Sequence, residues 1–178
     1  QFSLEKLQEA TEETLLREGA ALLLFRYGNM PLLGRHNLEN AAMAMAAIDL
    51  LGLDTGRVEP LLASFQALPH RCEAVATIDG VNYVDDSKGT NVAASMTALV
   101  SLPGVKIVIL GGQGKGEEYT PLAEAVKKHA RIALVLGAER EKIVESLQRV
   151  QFEGIIPVVD MEEAVKRARR EACPGETV

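Results

Sequence analysis

Three nearly continuous apolar runs mark the second half of the chain: residues 105–110 (VKIVIL), 131–136 (RIALVL) and 154–159 (GIIPVV). Strands that are apolar on both faces belong in a parallel sheet covered by helices on each side. Mixed stretches with apolar residues every three to four positions lie between them, which predicts strands at 106–110, 132–136 and 155–159 and helices at 91–101, 121–129, 140–150 and 162–172. Two further β runs, 72–78 and 81–85, are joined by Asp79-Gly80, a dipeptide suited to a type I′ hairpin turn. The pattern is α/β: a Rossmann-like, doubly wound domain with a mostly parallel sheet. Ligands of such sheets sit beyond the carboxyl ends of the strands, so the loops after Val84 and Leu110 are where chemistry is expected.

The first part reads differently. Residues 4–17 mix charges and leucines without a clear period, and 20–26 form a short apolar strand candidate. A helix then opens at Gly34-Arg35-His36-Asn37, with Leu38, Ala41, Ala42, Met45, Ala46 and Ile48 at helical spacing, Asn37 as N-cap and Gly52 just past its end. A second helix over 55–67 carries Val58, Leu61, Leu62 and Phe65 on one face and stops before Pro69. The change of rhythm places a domain boundary at Leu68-Pro69, giving domains 1–68 and 69–178. The chain opens on Gln1-Phe2-Ser3, and Pro174-Gly175-Glu176-Thr177-Val178 reads as a turn followed by a strand cut before it can pair. Both ends therefore look truncated.

Composition narrows the partners. In 178 residues, 19 Lys and Arg against 25 Asp and Glu give a net charge of −6, against a nucleic-acid binder, which needs a basic face. The longest apolar run, 20–25, is strand-sized, so no membrane span is expected. Two cysteines, Cys72 and Cys173, are too few for a disulfide framework and fit a reducing cytoplasm. The three histidines form no HxH or HExxH arrangement, so no metal cluster is expected.

Four segments carry candidate chemistry. Leu110-Gly111-Gly112-Gln113-Gly114-Lys115-Gly116 follows a buried strand but fits neither GxGxxG nor a P-loop, so it is either a flexible turn with a solvated lysine or a backbone cradle for an anion. Asp85-Asp86-Ser87-Lys88-Gly89-Thr90-Asn91 leaves a strand and enters a helix. Its polar residues either cap that helix or place Asp86 and Lys88 against ribose hydroxyls and substrate charges. Arg71, in Leu68-Pro69-His70-Arg71-Cys72-Glu73, suits either an inter-domain salt bridge or a bidentate contact to polyphosphate. His36 and Asn37, at a helix start, suit packing or capping as well as a nucleotide contact.

Together these segments resemble the Mur ligases. Gly34-Arg35-His36-Asn37-Leu38-Glu39-Asn40 is similar to the family's GxHNxxN helix start and residues 68–73 to its LPHRxE domain junction. Residues 85–91 resemble the (N/D)DSKATN loop of the D-glutamate-adding branch, and residues 110–115 its LGGxGK loop. The resemblance implies a C-terminal, amino-acid-binding domain, preceded by the helical end of a central ATP-binding domain. It implies ADP-forming ligation of D-glutamate to UDP-N-acetylmuramoyl-L-alanine through an acyl phosphate, with ATP and Mg2+, by a monomer in the bacterial cytoplasm. Carried over, Asn40 would contact adenine, and Arg71 and Asp86 the nucleotide's phosphate and ribose. Thr90, Lys115, Ser87 and Lys88 would hold the D-glutamate carboxylates.

Departures from the family pattern accompany the match. The P-loop and magnesium ligands are expected upstream of residue 1, and a Ser-Pro-Ala-Cys-Ala-Ser segment beyond residue 178. The chain alone is therefore expected to be inactive. Gly89 stands where the family has Ala, an exchange expected to be tolerated. The alternatives are another Mur ligase or a folylpolyglutamate synthetase relative, which would carry a different loop at 86–91, and a non-catalytic α/β nucleotide-binding module.

Overall fold

The computed structural model describes residues 13–16, 22–25, 35–54, 58–66, 68–114 and 116–178. The chain divides into two compact units, Gln1–Leu68 and Pro69–Val178. In the first, β1 (Glu13–Leu16) pairs antiparallel with β2 (Leu22–Phe25), in a register that sets Glu13 against Phe25 and Leu16 against Leu22. β2 falls in the apolar run; β1 falls where no period was visible. Helix α1 spans Arg35–Leu50, so Asn37 lies within its first turn rather than at the N-cap. Ala41 and Met45, one turn apart, are its buried residues among those described. The amide of Leu53 donates to Ile48 O at 3.1 Å while Gly52 adopts φ +68°, the closing bond and left-handed residue of a Schellman C-cap. Helix α2 (Val58–Ser64) stops at Ser64, short of the end that the apolar pattern suggested, and Leu61 and Phe65 are exposed.

The second unit is built on β3 (Glu73–Ile78), β4 (Val81–Asp85), β5 (Lys106–Leu110), β6 (Ala130–Val135) and β7 (Ile155–Pro157). Asp79 and Gly80 take φ values of +52° and +77°, the two left-handed positions of a type I′ turn, and fold β3 against β4. β5, β6 and β7 lie side by side in parallel, in that order.

The chain's last residues complete the sheet, contrary to the expectation of an unpaired end. Asn82 N donates to Glu176 O and Val84 N to Val178 O on one side; Ile107 N donates to Thr177 O on the other. The segment thus lies parallel between β4 and β5. Two facing strand edges need a partner for their amides and carbonyls, and three residues suffice to supply it. Thr177 is 1% exposed, and its hydroxyl donates to Pro103 O at 2.8 Å.

Strand periodicity separates two cores. Ala133 and Val135 of β6 face one cluster with Leu99, Leu122, Val126, Ile143 and Leu147, which belong to α3 (Val92–Ser101), α4 (Thr120–His129) and α5 (Arg140–Arg149). Ile132 and Leu134, one residue out of phase, face a second cluster with Ile107, Val158 and Ala164 and Ala168 of α6 (Met161–Glu171). Crossovers running from β4 to β7 in one direction put α3, α4 and α5 on one face. The return of the chain through α6 to the middle of the sheet puts that helix on the other. The sheet is therefore doubly wound, and the carboxyl ends of β4, β5 and β6 open on one edge.

Helix starts are set by side chains. Asn91 Oδ1 accepts from Ala94 N at 2.8 Å at the start of α3. Asp160 Oδ1 accepts from Glu163 N at 2.8 Å at the start of α6, and Glu163 reaches back to Val159 N at 2.7 Å.

Candidate functional site

The loop that leaves β4 is tied to the segment just before β3. His70 Nδ1 lies 2.7 Å from Asp85 Oδ2, Cys72 N donates to Asp86 Oδ1 at 3.0 Å, and Lys88 N donates to His70 O at 3.0 Å. These bonds hold His70 (φ +66°) and Cys72 (φ +44°) in the left-handed region on either side of Arg71, a conformation costing non-glycine residues about 1 kcal/mol or more. Asp85 Oδ1 also accepts from Ser87 N at 2.8 Å. The hydrogen bond from His70, and then that from Ser87, hold the Asp85 carboxyl below the usual carboxylate range. The Cys72 thiol is pushed up to about 12 by burial and by the adjacent Asp86 carboxylate.

Arg71 and Lys88 are exposed and form no ion pair among the described residues, so both cations remain available to an anion. Ser87 and Thr90 are exposed, and Asp86 is half-buried. Gly89 matters more than expected. A Cβ there would stand 2.5 Å from Asp86 Oδ2 and 3.0 Å from Asp86 O, so the family's Ala would require this carboxylate to turn away.

The glycine-rich loop after β5 packs against the loop after β6. A Cβ on Gly111 would meet Leu136 O at 2.6 Å, and one on Gly137 (φ +79°) would meet Gly112 N at 2.8 Å. A Cβ on Gly114 would meet Glu139 Cγ at 2.6 Å. Gly111 and Gly137 are therefore required by backbone packing, whereas Gly114 faces the end of the Glu139 side chain. Glu117 Oε2 accepts from Val92 N at 3.3 Å, joining this loop to the start of α3 and hence to the loop after β4. Lys115 lies outside the described residues.

The nucleotide candidates of the first unit share α1. Asn40 is exposed, Asn37 half-buried, and the His36 side chain lies outside the described residues. The structure brings together Arg71, Asp86, Ser87, Lys88 and Thr90. Glu117, Glu139, His70 and Asp85 escaped sequence reasoning; no local motif marks Glu117, whose partner is 25 residues away. Among the described residues, His70, Glu73 and Asp85 offer potential metal-ligand atoms within 4.8 Å of one another. Hydrogen bonds engage them already: Glu73 Oε2 accepts from His70 N at 2.8 Å.

The second unit is thus a doubly wound α/β domain whose loop after β4 presents exposed Lys88, Ser87 and Thr90, with Arg71, beside the half-buried Asp86. Residues 70–178 match the family described as Mur ligase, glutamate ligase domain, and the chain belongs to the Mur ligases. It is similar to the UDP-N-acetylmuramoylalanine--D-glutamate ligase of Solibacter usitatus, 40% identical over 159 residues, covering 88% of this chain and 35% of the relative. It is likewise similar to the ligase of the same name from Nitrosococcus oceani, 39% identical over 176 residues, covering 97% of this chain and 38% of that one. The chain thus spans little more than a third of these relatives. Among solved structures, the UDP-N-acetylmuramate-alanine ligase of Thermotoga maritima matches with a TM-score of 0.67 and 17% identity, over 89% of this chain and 35% of that one. Mycobacterium tuberculosis folylpolyglutamate synthase, complexed with ADP and AMPPCP, matches with 0.66 and 16% identity, over 95% and 44%. At these identities the two structures support the fold. Among the described residues no helix is long and apolar enough to cross a membrane.

Proposed function

We propose that the chain is part of an ATP-dependent amide ligase that adds D-glutamate to UDP-N-acetylmuramoyl-L-alanine. Residues 69–178 serve as its amino-acid-binding domain and 1–68 as the end of its ATP-binding domain. The observation that carries the reading is the DDSKGTN loop at the carboxyl end of β4, locked to Arg71's segment and open to the solvent edge. Its support is the identity of about 40% to relatives bearing that name. The reading carries with it a monomer working in the bacterial cytoplasm.

In this mechanism the γ-phosphoryl group of ATP passes to the muramoyl-alanine carboxylate. The amine of D-glutamate attacks the acyl carbon, phosphate leaves, and the amide forms. Lys115, Lys88, Ser87 and Thr90 hold the two D-glutamate carboxylates, so that the amine is presented in one orientation. Arg71 takes a nucleotide phosphate, Asp86 accepts from the ribose hydroxyls, and Asn40 faces adenine, with His36 and Asn37 shaping the helix start. Mg2+, when bound with ATP, would neutralise phosphate charge and would call for oxygen ligands. The His70, Glu73 and Asp85 cluster offers an imidazole nitrogen and carboxylates already engaged, so it does not fit that ion, and no step runs through it here.

Calorimetry on the 178-residue chain tests the reading. D-glutamate binds and L-glutamate binds less; Lys115→Ala and Thr90→Ala abolish the heat, and Arg71→Ala weakens ATP. By itself the chain turns over no ATP with D-glutamate. Preference for L-glutamate would point to a folylpolyglutamate synthase-like ligase, and tight NAD binding to a dinucleotide module; either result overturns the proposal.

A further inference from the structure

β4 and β5 lead into the two loops of the site, yet among the described residues they are not hydrogen-bonded neighbours: β3 and β4 form one ladder, and β5, β6 and β7 another. Residues 176–178 join the two, taking Asn82 N and Val84 N on one side and Ile107 N on the other. Val84 directly precedes Asp85, so the placement of the loop after β4 against β5 follows the placement of this segment. Backbone bonds alone do not select its register, because the amides and carbonyls of a slipped alignment would pair as well. Side chains do select it. The Thr177 hydroxyl on Pro103 O is one such contact. The other is Glu176, whose Oε1 accepts from Arg131 Nε at 2.8 Å and whose Oε2 accepts from Arg131 Nη2 at 2.9 Å, a bidentate pair. Oε2 also accepts from Cys173 N at 2.8 Å, and Arg131 Nη2 donates to Glu171 O at 2.7 Å. One guanidinium thereby fastens β6, the last residue of α6 and the final segment together. The Glu176 side chain is 12% exposed, so the pair is shielded on its acidic side, unlike the surface pair of Lys166 and Glu162 at 69% and 75%. The bond from Arg131 holds the Glu176 carboxyl below the usual carboxylate range.

We infer that Arg131 and Glu176 are positioning residues: their pair sets the register of residues 176–178 and, through it, the alignment of the Asp86–Thr90 loop with the carboxyl end of β5. Arg131 is the second residue of β6, at the amino edge of the sheet, whereas the loops lie at the carboxyl edge. Neither residue touches substrate, and the effect travels through the backbone. One bond reports the alignment directly. Val92 N, the first amide of α3, finds its acceptor across the gap on Glu117 Oε2 at 3.3 Å, and an amide of the first turn has no partner within its own helix. Loss of alignment therefore strips Val92 N of its acceptor. The identity of the ligand rests on the D-glutamate reading proposed above; the alignment is independent of it.

Amide hydrogen exchange by NMR, with D-glutamate titration of the full 178-residue chain, tests this. Arg131→Ala and Glu176→Ala each speed exchange of Val84, Ile107 and Val92 by about tenfold and weaken D-glutamate by about tenfold. Leu136 and Val158, whose amides are bonded to Leu110 O and Val135 O within the other ladder, keep their protection. The double variant does no more than either single one, since both remove the same pair. Arg131→Lys, which keeps the charge without the fork, lies between the wild-type chain and Arg131→Ala. Unchanged exchange at Val84 and Val92 in both Ala variants overturns the inference. Faster exchange with undiminished D-glutamate affinity overturns it too, leaving the pair a structural tie without influence on the site. Should the wild-type chain bind no D-glutamate, the functional reading fails while the Val92 exchange rate still decides for or against the alignment. If an Ala variant loses protection at Leu136 and Val158 as well, Arg131→Lys and Glu176→Gln take its place under the same criteria.

Discussion

The two loops that meet at the carboxyl edge of the sheet are held in opposite ways. The segment from His70 to Asn91 is fixed by polar bonds near solvent: an imidazole on a carboxylate, two backbone amides on Asp85 and Asp86, and a carbonyl on Lys88 N. The loop after Leu110 is fixed by backbone lying against backbone, where Leu136 O and Gly112 N leave no room for a Cβ. The first kind of order is sensitive to protonation; the second rests on backbone contact. On the D-glutamate reading proposed above, both kinds would serve one site: cations and hydroxyls must face solvent, whereas the backbone that carries them must not move.

The largest effect falls on the packed loop. Gly137→Ala places a side chain at φ +79° and within 2.8 Å of Gly112 N, so urea denaturation should show a loss of about 2–4 kcal/mol. Gly116→Ala meets nothing within 4 Å, and its cost is confined to φ +81°, about 1 kcal/mol. Equal losses in the two variants would mean that loop packing contributes nothing and would erase the comparison.

The same contrast explains what could be read without coordinates. The parallel strands were legible because VKIVIL and RIALVL are apolar on both faces, and β6 does divide its residues between two cores. The type I′ turn was legible in Asp79-Gly80. β1 was not: four residues with Glu13 and Thr14 among them have no period strong enough to stand out, and only pairing with Leu22–Phe25 defines them. The final strand was legible but its pairing was not, because its partners Asn82 and Lys106 lie far back along the chain. At the site, DDSKGTN announced itself by residue type. Glu117 did not, because the amide it accepts from, Val92 N, lies 25 residues away.

In the polar loop a smaller cost is expected. Gly89→Ala would drive Asp86 Oδ2 from its place and strain the bond from Cys72 N, a loss of about 1 kcal/mol by urea denaturation. The companion Asp86→Ala should lose as much, and the double variant little more, since both act through one carboxylate. Additive losses would show that Gly89 and Asp86 are independent.

Acid should separate the loops further. Asp85 has its folded pKa below its unfolded value of about 3.9, so its contribution is complete above that value and disappears as pH falls through the lower, folded one. Followed by NMR, the Ser87 amide should keep its shift from pH 7 to about 4 and lose it below, while the amides of Gly111 and Gly137 hold. A Ser87 shift that moves between pH 7 and 5 would assign the transition to another group and detach it from Asp85.

The smallest perturbation is a chemical probe that leaves stability untouched. Cys72 is buried within the polar loop, and burial, then the Asp86 charge, push its thiol up to about 12. Cys173 is exposed. The thiolate is the reactive form, so at pH 8 a disulfide reagent should modify Cys173 promptly and Cys72 only through opening of the 70–90 segment. Asp86→Asn removes the charge and weakens the acceptor of Cys72 N, and should therefore quicken Cys72 while Cys173 keeps its rate. Gly137→Ala, acting on the packed loop, should leave the Cys72 rate unchanged in conditions where the chain stays folded. If Cys72 answers to Gly137→Ala as strongly as to Asp86→Asn, the two loops open together and the edge of the sheet is one cooperative unit.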